Sequence, residues 1–172
     1  LFKKHSIQVI KSEASIKNPN TIKVRINNKD ELISAKNIII ATGASPKMPL
    51  FSNGKEDFIW NYKNAMLPKQ LPKRLGIIGS GAIGIEFASF YNDLGSKVSV
   101  FEMQDRICPN EDYDISVTLE KILAKKGIQF FKNSNVKDVF KKKDIQLISD
   151  NNQSFFFDKV LIAVGVEGNT DN

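Results

Sequence analysis

The stretch Leu75-Gly76-Ile77-Ile78-Gly79-Ser80-Gly81-Ala82-Ile83-Gly84 decides the fold. An apolar run leads without a polar break into the spacing G-x-G-x-x-G. Ile83, Phe87, Phe90, Tyr91 and Leu94 then recur at helical spacing, and Gly95 stands where the helix should end. The pattern predicts strand, tight turn and helix. Each glycine has a separate physical task in such a unit. Gly79 permits the sharp turn off the strand, Gly81 lets backbone approach a pyrophosphate, and Gly84 lets the helix pack close to the sheet. The phosphates would then lie at a helix N-terminus, where N–H groups and the helix dipole favour negative charge.

Downstream, Lys97 to Glu102 reads as a second strand, and Glu102 closes it 23 residues beyond Gly79. An acid at about that distance, roughly 20 residues, accepts hydrogen bonds from ribose hydroxyls in dinucleotide folds. It would also repel a 2′-phosphate, and Met103 and Gln104 follow where arginines would serve NADP, so NAD is the expected cofactor. Glu86 falls on the first turn of the helix, where an acid either complements the dipole or faces the nicotinamide end of the site. A second helix is predicted around Ile115, Leu119, Ile122 and Leu123, preceded by Glu111, Asp112 and Asp114 and closed by Lys125, Lys126 and Gly127. Further strands are predicted over 128–131, 136–140, 145–149 and 155–164, with Lys141-Lys142-Lys143-Asp144 as a hairpin turn.

Upstream the texture differs. Residues 45–72 hold Pro46, Pro49, Pro68 and Pro72 and no sustained periodicity, which marks a connecting segment and a boundary near Pro72. Before it, strands are predicted at Ile7–Ile10 and Ile22–Ile26, with a turn at Asn27-Asn28 and a fully buried strand at Ile38–Ala41. Laid without gaps, Ile26 to Gly43 (INNKDELISAKNIIIATG) matches Ile148 to Gly165 (ISDNNQSFFFDKVLIAVG) in pattern. In both, a strand, a polar turn and a second strand lead into an apolar run ending Ala-x-Gly. If the second copy closes a nucleotide domain, the first should close another. The predicted organisation is therefore a partial nucleotide domain over 1–44, a connector over 45–72, a complete dinucleotide domain over 73–168 and the start of a return at 169–172.

The bulk properties agree with an α/β reading and narrow the partners. The chain has 172 residues, 41% hydrophobic, with Lys and Arg exceeding Asp and Glu by six. The lysines are scattered, so a solvated surface is expected rather than a nucleic-acid face. One cysteine, Cys108, allows no internal disulfide, and His5 is the sole histidine. The apolar runs are shorter than the ~18 residues of a membrane helix, and no leader pattern is visible, which suits a cytoplasmic protein. Leu1 at the start and the polar run Gly168 to Asn172 at the end read as the borders of an internal piece of a longer chain.

On these residues the chain resembles the pyridine nucleotide-disulfide oxidoreductases, and within them the branch that oxidises dihydrolipoyl groups for bacterial 2-oxo acid dehydrogenase complexes. The resemblance rests on Ile78 to Tyr91, Val100-Phe101-Glu102-Met103, Ile59-Trp60-Asn61-Tyr62 and Asn37 to Ala44, and runs from about Phe2 to Asn169. It implies a Rossmann-like NAD domain, a βαβ unit with a β-meander, inserted in an FAD domain. Carried over, it implies that Gly79, Ser80, Gly81, Ala82, Ile83 and Gly84 hold the NAD pyrophosphate and Glu102 the ribose. Glu86 would lie between nicotinamide and flavin, Val136 beside the adenine and Gly165 beside the nicotinamide. Ala14 would make a backbone contact to FAD, which Thr42, Gly43 and Ala44 approach.

The resemblance further implies a homodimer whose partner is the dihydrolipoyl domain of the complex. No catalytic residue or metal ligand is expected in this chain, because the family's redox-active cysteine pair, first glycine motif and His-Glu dyad have no counterpart here. The chain alone is expected to be inactive. Gly165-Val166-Glu167-Gly168-Asn169 departs from the family's Gly-Arg-x-Pro-Asn, and Cys108 stands where an aliphatic residue is usual, so it is read as packing. Mercuric reductase, soluble transhydrogenase and a non-catalytic NAD-binding module are the alternative readings.

Overall fold

The computed structural model describes residues 1–170 and contains two compact units. One comprises residues 1–43 with the stretch from Gly168, the other Ala44–Glu167. Of the segment 169–172, residues 171 and 172 lie outside the described residues.

The first unit is an antiparallel meander of β1 (Ala14–Asn18), β2 (Thr21–Ile26) and β3 (Lys29–Ser34). Asn27 and Asn28 join β2 to β3 at φ 50° and 62°. Asparagine tolerates that left-handed region, and two such residues match the twist of a tight hairpin. Val24 is the buried hydrophobic residue of this meander. Two expected strands do not form. Ile7–Ile10 has no ladder, with Ile7 and Val9 exposed, and Ile38–Ala41 is irregular, with Ile39 and Ile40 exposed. An apolar run becomes a buried strand only where neighbouring strands pair with it, and none of the described residues does so.

The second unit begins with β4 (Ala44–Pro46), β5 (Ile59–Trp60) and the short helix α1 (Tyr62–Met66). The Asn61 side chain accepts from the Lys63 and Asn64 N–H groups and starts α1. The stretch 45–72 therefore supplies most of β4, all of β5 and a helix as well as a connection. There follow β6 (Arg74–Ile78), α2 (Ala82–Asp93), β7 (Lys97–Phe101), α3 (Tyr113–Lys125) and β8 (Gln129–Phe131). The chain continues through β9 (Val136–Lys141), β10 (Ile145–Ser149), β11 (Ser154–Phe157), β12 (Lys159–Ile162) and β13 (Val166–Gly168).

Strands β5, β12, β6, β7 and β8 form one parallel sheet in that order, and β9, β10 and β11 a second antiparallel meander. The apolar run 155–164 divides at Asp158 into β11 of the meander and β12 of the parallel sheet. This is a Rossmann-like α/β domain with an added meander, as the resemblance implies.

Alternation along the strands explains the two-layered core. Leu75, Ile77, Val98, Val100 and Leu161 pack with Ile85, Ala88 and Tyr91 of α2. On the opposite face Ile78, Phe101, Val160 and Ile162 pack with Val136, Val139, Ile145, Leu147 and Phe157 from the meander. Gly76 marks the closest approach: a Cβ there would lie 2.8 Å from the Phe157 ring. Phe101 stacks on Phe131 at 4.9 Å between centroids and meets Phe155 edge-on at 4.8 Å, contacts worth about 0.5–1.5 kcal/mol each beyond area burial. Phe156, between two inward-facing phenylalanines, is half exposed. Among the described residues no helix is long and apolar enough to cross a membrane.

Candidate dinucleotide-binding site

The parallel sheet ends on one side in a cavity of about 460 Å³. It lies at the carboxyl ends of β6, β7 and β12, the edge where open α/β sheets place ligands. Gly79 leaves β6 at φ +98°, and a Cβ on it would stand 2.4 Å from the Ala163 carbonyl oxygen. The Gly79 N–H donates to Phe101 O at 2.8 Å, and Ala163 N–H donates to Ile78 O at 2.7 Å. The loop is thus pinned between both neighbouring strands. Gly84 sits behind it, where a Cβ would approach Gly79 O to 2.1 Å.

Gly81 is the N-cap of α2 and offers no side-chain cap. A Cβ on Gly81 would meet no protein atom within 4 Å, so the backbone is bare on the side open to the cavity. The first turn of an α-helix has N–H groups without intrahelical partners, and an anion against Gly81, Ala82 and Ile83 would satisfy them. The donor set and the open space beside Gly81 fit a pyrophosphate.

Glu102 lines the same cavity at the end of β7 and is the charged side chain among the lining residues. It is 7% exposed. Its Oε2 accepts from Ser80 N–H at 2.9 Å and Ser80 Oγ at 2.6 Å, and its Oε1 accepts from Gln104 N–H at 2.9 Å. Ser80 therefore directs both its donors to Glu102. Val136 and Gly165 also line the cavity, Gly165 with φ +108°.

Glu86 is elsewhere. It is exposed on α2 and lines a separate recess of about 480 Å³ with Tyr62, Met66, Phe87, Phe90 and Ile83, the last of which borders both cavities. Ala14 opens β1 and is exposed, and Ala44 is exposed at the start of β4. Thr42 and Gly43 are held to Asn169: Thr42 Oγ1 donates to Asn169 O at 2.6 Å, Asn169 Nδ2 donates to Thr42 O at 3.1 Å, and Asn169 N–H donates to Gly43 O at 3.0 Å. None of these four lines either cavity.

Residue-by-residue reading missed Pro109, Asn110, Ser134 and Asn135, which complete the wall of the cavity at the glycine turn. They follow β7 and β8, and the rule that ligands lie outside the carboxyl ends of strands would have pointed to them. The two loops are tied together by Ser134 N–H to Glu102 O and Asn133 N–H to Gln104 O, each at 2.9 Å. Cys108 is buried next to the loop, its N–H donating to Ser80 O at 2.9 Å. Burial, then the charges of Glu111 and Glu102, push its thiol up from the ordinary range, so it packs as a neutral group. Among the described residues no group of three His, Cys, Asp or Glu could hold a metal ion.

This arrangement, a glycine turn on a parallel strand with an acid closing the next strand, is that of a dinucleotide-binding oxidoreductase domain. The chain belongs to the pyridine nucleotide-disulphide oxidoreductase family, whose model matches residues 1–172. Proteins of this family use FAD and NAD. The chain is 37% identical over 194 residues to a dihydrolipoyl dehydrogenase of Rhizobium etli, covering 100% of this chain and 40% of that protein. It is 32% identical over 177 residues to a mercuric reductase of Lysinibacillus sphaericus, covering 100% of this chain and 32% of the relative. The crystal structure of LpdA from Mycobacterium tuberculosis superposes with a TM-score of 0.83 at 26% identity, over 98% of this chain and 39% of that one. The chain thus spans about 40% or less of the length of these relatives.

Proposed function

We propose that this chain is the part of a flavoprotein disulfide oxidoreductase that holds NAD, and that the whole protein is a dihydrolipoyl dehydrogenase. In this reading 73–168 is the NAD domain, 45–72 leads into it, and 1–44 with 169–172 belongs to the FAD domain. The helix N-terminus at Gly81 to Ile83 takes the pyrophosphate, with Gly79 and Gly84 shaping the turn. Glu102 takes the adenosine ribose, Val136 borders the adenine and Gly165 the nicotinamide. Ala14, Thr42, Gly43 and Ala44 are the FAD-side residues, and Glu86 lies between the nicotinamide and the flavin. NAD held by these residues would supply the hydride acceptor. The chain's own residues bind and orient the coenzyme and supply no catalytic group.

The observation that carries this reading is Glu102, the charged side chain of the cavity, buried where a ribose would sit. A carboxylate there accepts from free hydroxyls and repels a phosphate. The dihydrolipoyl dehydrogenase relatives support the finer assignment, and with it a cytoplasmic homodimer that meets the dihydrolipoyl domain of a 2-oxo acid dehydrogenase complex. The mercuric reductase relative supports a second reading. Turnover of dihydrolipoamide by the full-length enzyme, against reduction of mercuric ion, separates the two.

Calorimetric titration of the chain tests the coenzyme assignment. NADH should bind more tightly than NADPH, and Glu102→Ala should weaken NADH by roughly ten- to a hundredfold, the value of a hydrogen bond to a charged group, and narrow the gap. Equal affinity of the unaltered chain for the two coenzymes contradicts the assignment.

A further inference from the structure

Ser80 lines the dinucleotide cavity but is fully buried. Each of its polar groups is engaged by protein: the N–H and the hydroxyl donate to Glu102 Oε2, and the carbonyl accepts from Cys108 N–H. A carboxylate has about four acceptor sites, two on each oxygen. Two donors from one residue fill Oε2, whereas Oε1 takes Gln104 N–H and retains capacity. The two oxygens of Glu102 are therefore unequal before any ligand arrives.

Resting on the NAD reading above, we propose that Ser80 is a positioning residue for coenzyme specificity: its hydroxyl locks Glu102 Oε2 to the glycine loop, so that Glu102 reads the ribose through Oε1 alone. The physical basis is pre-organisation. A glutamate has three rotatable side-chain bonds, and one tethered at both oxygens has little rotamer freedom left to lose on binding. The tether also fixes the negative charge next to the position of a 2′-phosphate, so repulsion of NADPH depends on the same serine. A loop residue that merely shaped the pyrophosphate turn would affect the two coenzymes alike, because their pyrophosphates are identical.

The test is a double-mutant cycle on the chain, with NADH and NADPH affinities measured by calorimetry for the unaltered protein, Ser80→Ala, Glu102→Gln and the pair. Ser80→Ala should lower the preference for NADH over NADPH by about three- to tenfold, less than the full value of a charge-assisted hydrogen bond because the lost bond acts on the coenzyme only through the position of Glu102, and should leave the preference unchanged in the Glu102→Gln background. Equal weakening of both coenzymes by Ser80→Ala, or the same effect in both backgrounds, overturns the proposal while the NAD reading stands. A chain that does not distinguish the coenzymes at all overturns that reading and the proposal with it. If Ser80→Ala does not fold, the Ser80 hydroxyl proton in the unaltered chain decides. It should be protected from solvent exchange, remain so when NADH binds, and lose protection in Glu102→Ala, which removes the acceptor; loss of protection on NADH binding overturns the proposal.

Discussion

The run Ile38-Ile39-Ile40-Ala41 and the run Val160-Leu161-Ile162-Ala163 occupy matching places in two copies of one pattern, and their environments are opposite. Leu161 is 0% exposed where Ile39 is 90%, and Ile162 is 2% where Ile40 is 60%. The second run is β12, paired on both sides by β5 and β6. The first pairs with nothing among the described residues and has no regular structure. The two meanders differ in the same way. β9–β11 buries Val136, Val139, Ile145, Leu147 and Phe157 against the parallel sheet, while Val24 is the buried hydrophobic residue of β1–β3. Matching patterns thus yield a hairpin in each copy, with a two-residue turn after Ile26 in the first and a longer loop after Ile148 in the second, but unequal cores, which require a partner layer.

Substitutions at matched positions test that account, and the largest effect is expected at Phe157. The first copy carries Ala35 at the corresponding place, so Phe157→Ala gives the second copy the residue of the first. It should destabilise the larger unit by about 3–5 kcal/mol in urea unfolding followed through the buried Trp60, the chain's one tryptophan. Leu161→Ala should cost about 2–5 kcal/mol, whereas Ile39→Ala at the matched position should change stability by no more than about 0.5 kcal/mol. Similar costs at both would show that the first run is packed after all.

Gly76→Ala comes next, at about 1–3 kcal/mol for overpacking against Phe157; Phe157→Leu in the same chain should recover part of it. A smaller effect than at Gly76 belongs to the ion pair at the start of the sheet. Burial pushes the Asp158 carboxyl up, but hydrogen bonds from the Arg74 guanidinium and N–H more than offset it and hold it below the ordinary carboxylate range. The contribution is therefore present above the unfolded value of about 3.9 and lost as pH falls through the lower folded value. With the pair partly exposed, it should amount to less than about 1 kcal/mol, and Asp158→Asn should flatten the stability curve over that acidic window.

The parts legible in the sequence were those determined over short distances. β6, the glycine turn, α2 and the close at Gly95 follow from one continuous pattern, and the hairpin at Asn27-Asn28 from residues that accept positive φ. β5 was not legible, because its two residues become a strand only through β12, a hundred residues further along the chain. The division of 155–164 between two sheets was marked only by Asp158, whose role depends on Arg74. Within the site, Glu102 was visible from its spacing. Its tether to Ser80 was not, since that contact exists only once β6 and β7 lie side by side. Glu86 was predictable in its place on the helix, and α2 presents it to the recess beside the glycine-turn cavity, which it shares with Tyr62, Met66 and Phe90.

Amide chemical-shift mapping of the chain during NADH titration tests the central claim most directly. The account predicts shifts in three loops at the carboxyl edge of the sheet, 79–84, 102–104 and 134–136, together with 163–165, and none in the first meander over 14–34. Shifts absent from those loops, or concentrated in the first unit, would contradict it.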